Sequence, residues 1–132
     1  MVLLDSSALL ACFETGVKFM EEVTDLTQGR AVFNLPFETV VELRMLGTGR
    51  PKLAGMAELA LKTARCFRTL PPTGMGCDDA LVYLAKTYKA AVATADRVLR
   101  RRLRALGITV FYPAGEKRII GEGWFEEVKR IV

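Results

Sequence analysis

Four separate stretches of the chain carry acids that could do chemistry. Asp5 follows VLL, Glu42 lies in ETVVELRML, Asp78 and Asp79 follow the glycine turn GMGC, and Asp96 follows AVATA. Carboxylates brought close together repel, and some must protonate unless a cation sits among them. Hard divalent ions such as Mg2+ or Mn2+ take oxygen ligands, often one or two carboxylates with waters completing the shell. Such an ion lowers the pKa of bound water and stabilises charge on a phosphoryl oxygen during in-line displacement. The chain contains no histidine, which removes Ser-His-Asp and Cys-His catalysis and imidazole-bound zinc together. Carboxylates, hydroxyls, lysines and arginines remain, and Ser6, Ser7 and Thr94 are placed to orient a carboxylate or a water.

Each acid also has a plainer role. Asp5 could cap the helix that follows it, although Ser6 and Ser7 are competent caps themselves. Glu42 would ordinarily pair with a cation one helical turn away, but those positions hold Glu38, Thr39, Met45 and Leu46. Asp78 and Asp79 open a helix, where one cap and one first-turn acid both suit the helix dipole. Asp96 is placed as an N-cap with Arg100 four residues later, and taken alone it is best explained as a cap.

The charge is unevenly spread. Arg97, Arg100, Arg101, Arg102 and Arg104 fall within eight residues, while the whole chain carries a net charge of only +4. The rest of the molecule is therefore slightly acidic, and a local basic stripe suits a polyanionic partner better than general basicity does. A solvated helix face is the plainer reading of the same run. Arg50 and Lys52 in GTGRPK add a second, weaker basic spot.

The elements that must bring these residues together follow from periodicity and turn chemistry. VLL at 2–4, AVFNL at 31–35, AAVAT at 90–94 and ITVFY at 108–112 predict strands, with CFRTL at 66–70 as an edge strand. Helices are expected over SSALLACF, over 16–26, from Pro36 through FETVVELRML, over AGMAELALKTAR, from about Asp78, and over DRVLRRRLRAL, which stops at Gly107. The loops are GTGRP, the Pro71-Pro72 break and the GMG turn. Strands alternating with helices predict a parallel α/β sheet covered on both faces. In such a sheet, ligands gather at the carboxyl ends of the strands, where Asp5 and Asp96 fall. Trp124, Phe125, Val128 and Ile131 form an apolar stripe at helical spacing in the tail, expected to pack on its own domain.

Length and composition bound the rest. The 132 residues make one domain, 1–132, with 114–132 as a C-terminal tail packing on it. Hydrophobic residues at 51% and charged residues at 26% are ordinary for a soluble protein, and no apolar run approaches a membrane span. No basic leader precedes VLLD, so a cytoplasmic location without membrane attachment is expected. Cys12, Cys66 and Cys77 lack metal or redox spacing and are expected as small buried hydrophobes. One asparagine and one glutamine hint at a thermophilic source, a hint that the five methionines weaken.

VLLDSSALL, VVEL, CDDALVYLA and VATADRVLRRRL, in this order, resemble the four acidic motifs of PIN-domain ribonucleases. The resemblance spans residues 1 to about 120, and VATADRVLRRRLRALGITVFY is most similar to archaeal PIN proteins related to ribosomal-RNA processing nucleases and VapC toxins. It implies a three-layer α/β/α sandwich with a mostly parallel central sheet, and Mg2+- or Mn2+-dependent endonucleolytic cleavage of RNA. Asp5, Glu42, Asp79 and Asp96 match the acidic quartet, with Asp78 a neighbour able to share the role of Asp79. Thr94 matches the family's hydroxyl two residues before the last acid, and Ser7 stands where relatives often carry Asn. Phosphate contacts are then expected from Arg97, Arg100, Arg101 and Arg104, with Arg50 and Lys52 in support. The resemblance also brings an antitoxin or a ribosome-assembly partner into view, and a homodimer. The alternative is a noncatalytic RNA-binding or scaffold module that keeps the fold.

Overall fold

A computed structural model describes residues 1–115 and 117–123. The elements are β1 (Val2–Leu4), α1 (Ser6–Glu14), α2 (Phe19–Leu26), β2 (Phe33–Pro36), α3 (Phe37–Leu46), α4 (Pro51–Ala64) and β3 (Arg68–Leu70). They continue with α5 (Cys77–Tyr88), β4 (Ala91–Ala93), α6 (Arg97–Ala105), β5 (Val110–Pro113) and β6 (Ile119–Glu122). The six strands form one sheet in the order β3-β2-β1-β4-β5-β6. Every pairing is parallel except that of β6 with β5.

Alternation along the strands builds the layers. Val2 and Leu4 enter one core with Ala91 and Ala93, and Leu3 and Val92 enter the other. The first core is filled by Ala8, Leu9, Phe19, Val23, Leu43 and Ala60 from α1 to α4. The second is filled by Leu81, Leu84, Leu99 and Leu103 from α5 and α6. The result is a three-layer α/β/α sandwich. The longest helix, α4, has 14 residues, and among the described residues no helix is long and apolar enough to cross a membrane.

The strand order places the site. From β1 the chain builds outward through β2 to the β3 edge, then returns to lay β4 along the other side of β1. Strand order therefore reverses between β1 and β4, the point where open α/β sheets form a crevice outside their carboxyl ends. Asp5 directly follows β1, and Thr94, Ala95 and Asp96 directly follow β4.

Several boundaries differ from the expectations, for local reasons. Pro36 ends β2 in extended backbone and serves as the N-cap position of α3 instead of opening the helix. The helix expected from residue 16 begins at Phe19, after Gly16 at φ +75°. Gly76, not an aspartate, occupies the N-cap position of α5, so Asp78 and Asp79 are both first-turn residues. Gly107 takes φ +76° at the end of α6 and turns the chain into β5. β6 was not anticipated; it lies within the segment expected as a tail and adds an antiparallel edge to β5. The expected stripe at Trp124, Phe125, Val128 and Ile131 lies outside the described residues.

Candidate active site

The buried end of the crevice is built around Asp5. Its residue sits at the N-cap position of α1, yet its side chain makes no capping hydrogen bond, so the capping role weighed for it is not used. Instead Oδ2 accepts the hydroxyls of Ser7 at 2.6 Å and Thr94 at 2.7 Å. Those hydroxyls are themselves held: Ser7 Oγ accepts the Ala95 N–H at 2.9 Å, and Thr94 Oγ1 accepts the Asp96 N–H at 3.1 Å. Each hydroxyl has one proton, and both are spent on Asp5, so the 3.1 Å Ser7–Thr94 contact is a packing contact when Asp5 is ionised. Asp5 is only 4% exposed, and burial pushes its carboxyl above the ordinary aspartate value. The two hydroxyls pull the other way, and the charges of Glu42 and Asp78 add to the push.

Glu42 reaches the same crevice from the middle of α3. Ser6 donates to its Oε1 at 2.6 Å, tying α3 to the start of α1. Thr39, fully buried one turn earlier, donates to the Leu4 carbonyl at 3.1 Å and fixes α3 against the end of β1. Cys77 at the start of α5 is half-buried beside Glu42; burial first, then the Glu42 carboxylate, pushes its thiol far up, so it stays protonated. Among the expected small buried cysteines, Cys66 is instead exposed. Nothing in the sequence signals the Cys77–Glu42 contact, because it joins two helices, α3 and α5, that lie far apart in the chain and touch only once it is folded.

The two first-turn aspartates of α5 diverge. Asp79 Oδ1 accepts from Arg102 Nη2 at 2.7 Å in an exposed ion pair between α5 and α6. Asp78 is exposed but feels the other acids. Burial raises its carboxyl pKa, the negative charges of Asp96 and then Glu42 raise it further, and Arg102 only partly offsets them. Asp78 thus lies within electrostatic reach of Asp96 and Glu42, and Asp5 within reach of Asp78. Asp96 itself caps α6 as expected, its Oδ1 accepting from Val98 N at 2.8 Å and Leu99 N at 3.2 Å.

The basic helix distributes its arginines over several roles. Arg97 and Arg101 are exposed and share a face of α6 at i,i+4 spacing. Arg100 does not form the ion pair with Asp96 that its spacing suggested; its guanidinium lies 4.0 Å over the Tyr112 ring. Arg104 is turned to the far end of α6, where it donates to the Ile108 carbonyl and pairs with Glu122. Arg50 and Lys52 lie past the C-terminal end of α3, the end opposite to that which leaves β2 at the crevice.

The donor set of the crevice is carboxylate and hydroxyl oxygen, with one protonated thiol at its side. Among the described residues no three carboxylates or thiols come close enough to enclose an ion. The arrangement is open, and it fits a hard cation held by one or two carboxylates with waters completing its shell. The mutual repulsion of Asp5, Glu42, Asp78 and Asp96 gives such an ion an electrostatic reason to bind.

The profile of the PIN-like domain matches residues 2–115. The chain belongs to the PIN-like domain family. Among solved structures, the PIN domain endonuclease Utp24 superposes on this PIN-like domain with a TM-score of 0.77 at 25% sequence identity, over 92% of this chain and 90% of that one. A domain of a functionally unknown protein from Methanocaldococcus jannaschii DSM 2661 superposes with a TM-score of 0.65 at 13% identity, over 90% of this chain and 94% of that one. That second likeness concerns the fold alone. No curated protein sequence matches the chain. The PIN-like family and the endonuclease neighbour together support a nuclease-type function in general terms.

Proposed function

We propose that this PIN-like domain is a divalent-metal-dependent endoribonuclease that hydrolyses RNA phosphodiester bonds. The observation that carries the reading is Asp5: a buried carboxylate at the switch point of the sheet, braced by Ser7 and Thr94 and facing the charges of Glu42 and Asp78. A bare cluster of this kind is costly, and a cation relieves it. Asp5, Asp78, Asp96 and Glu42 would hold Mg2+ or Mn2+, directly or through its waters. When bound, the ion activates water and neutralises charge that develops on the phosphoryl oxygens.

The chain's own residues do the rest. Ser7 and Thr94 keep Asp5 in one orientation, and Thr94 links that orientation to the backbone of Asp96. Ser6 and the Cys77 thiol hold the Glu42 carboxylate in place, and its remaining lone pairs accept a hydrogen from the attacking water. Arg97 and Arg101 hold substrate phosphates on the exposed side of α6, next to the Asp96 corner. In this assignment Asp78 takes the role that motif matching gave to Asp79, because Asp79 is occupied by Arg102.

The test is cleavage of a labelled RNA containing single-stranded and structured segments, with Mn2+, with Mg2+ and with chelator. Cleavage is expected only with metal, and Asp5→Asn is expected to lower it at least about 100-fold. Mn2+ is also expected to raise the melting temperature of the wild-type protein, since a ligand that binds only the native state must stabilise it. Metal-independent cleavage, or full activity in Asp5→Asn, overturns the reading. Mn2+ binding with no cleavage of any RNA points instead to a scaffold that has kept the fold.

A further inference from the structure

We propose that Glu38 is a positioning residue that sets where Asp78 stands relative to Glu42. This rests on the nuclease reading above and goes beyond it, because Glu38 itself is not among the acids of the crevice.

Glu38 lies one turn before Glu42 on α3, so the two side chains leave the same face of the helix. Glu42 goes to Ser6 of α1, whereas Glu38 reaches away from β1 to the 71–76 segment that leads into α5. Its Oε2 accepts both the Thr73 N–H at 2.8 Å and the Thr73 hydroxyl at 3.0 Å. The Thr73 hydroxyl oxygen in turn accepts the Met75 N–H at 3.1 Å. Gly76 follows as the N-cap position of α5, then Cys77 beside Glu42, then Asp78. A single carboxylate therefore anchors the short segment whose end decides where the first turn of α5 sits.

The Gly74 backbone also reaches the Glu38 carboxylate, so the same group holds the segment at two points. Gly76 supplies no side chain to cap α5, and Gly74, at φ +79°, has nothing within 4 Å of where a Cβ would stand. Slight burial pushes the Glu38 carboxyl up, but the backbone N–H groups of Thr73, Glu38 and Gly74 and the Thr73 hydroxyl outweigh it and hold the carboxyl below the ordinary glutamate value. Anchoring Thr73 to the helix that carries Glu42 gives the arrangement a further consequence, a fixed Glu42–Asp78 relation.

Groups that orient ligands from one step away typically change metal affinity by about 10–100-fold when removed. The test is calorimetric titration of Mn2+ into the wild-type protein and the variants Glu38→Ala, Glu38→Gln and Thr73→Val, with no RNA present. Glu38→Ala is expected to weaken Mn2+ binding about tenfold. Thr73→Val should shift it in the same direction, since it removes one of the two donors and the link to Met75. Glu38→Gln keeps an acceptor for Thr73 and should bind within about twofold of wild type, which a purely electrostatic role would not allow. Wild-type affinity in both Glu38→Ala and Thr73→Val overturns the proposal, as does equal weakening in Glu38→Gln and Glu38→Ala. If Glu38→Ala does not fold, Thr73→Val alone decides. Failure of the wild-type protein to bind Mn2+ defeats the nuclease reading itself, and so is distinguishable from a failure confined to Glu38.

Discussion

At the residue scale, the site turns on which of two neighbouring aspartates faces the crevice. Adjacent positions on a helix point about 100° apart, so Asp78 and Asp79 cannot share one direction. Asp79 is closed into an exposed pair with Arg102, an interaction worth about 0–1 kcal/mol. Asp78 feels Asp96 and Glu42. Asp78→Asn is therefore expected to cut Mn2+-dependent cleavage at least about 100-fold, and Asp79→Asn by no more than about threefold. Single-turnover rates for the two variants side by side check this, and the opposite order would return the role to Asp79. The sequence made all four acidic segments visible and left this choice open. The DALV pattern pointed to Asp79, but the phase of the helix depends on its start, and Gly76 makes a start that spacing did not reveal. Asp96 shows the same limit differently: its capping was legible, while the seat of Arg100 on Tyr112 was not, because Tyr112 lies on a separate strand.

At the element scale, α6 is both the base of one carboxylate and the carrier of the positive stripe. Its N-terminus is fixed by Asp96, so the arginines on its exposed face stand at set distances from the crevice. Arg97 and Arg101 should act as phosphate contacts, and each change to Gln should lower the slope of log affinity against log salt by about 0.7–1. RNA binding measured across a salt series in a Ca2+ or metal-free buffer checks this. Arg104→Gln should leave the slope unchanged, since Arg104 is engaged with Ile108 and Glu122. A uniform slope change across all three would mean the helix contributes only diffuse charge. Most elements were legible because β1 and β4 are apolar triplets at the heart of the sheet and the helices start and stop at glycine or proline breaks. β6 escaped because IIGE is short, ends near glycine and is defined by its pairing with β5. Its hydrophobicity alone does not single it out.

At the scale of the whole molecule, the fold holds Asp5 in a place that favours function over stability. Burial raises its carboxyl pKa, so Asp5 favours the folded state below about pH 3.8, where it is protonated in both states. That contribution is lost as the pH rises through the folded value, and at neutral pH the ionised group opposes folding. In chelator at pH 7, Asp5→Asn is expected to melt roughly 2–5 °C above wild type, and the difference should vanish toward pH 4. Melting curves across pH check both halves, and a destabilised Asp5→Asn at pH 7 would show that the Ser7 and Thr94 hydrogen bonds outweigh desolvation. Strand order was the least legible feature, because a three-residue apolar strand carries no mark of its neighbours. That order also has a consequence for the growing chain. β1 waits for its second neighbour until residues 91–93, as the pairing of Val2 with Ala91 shows. Contacts so distant in sequence close late, because the entropy of the intervening loop must be overcome first. A chain extruded only as far as β3 already holds Asp5 and Glu42 but has neither the hydroxyl of Thr94 nor the acids of α5 and α6. On the nuclease reading proposed above, the crevice is therefore complete only once β4 and the start of α6 have been made, and a chain that stops at β3 lacks half of its acids.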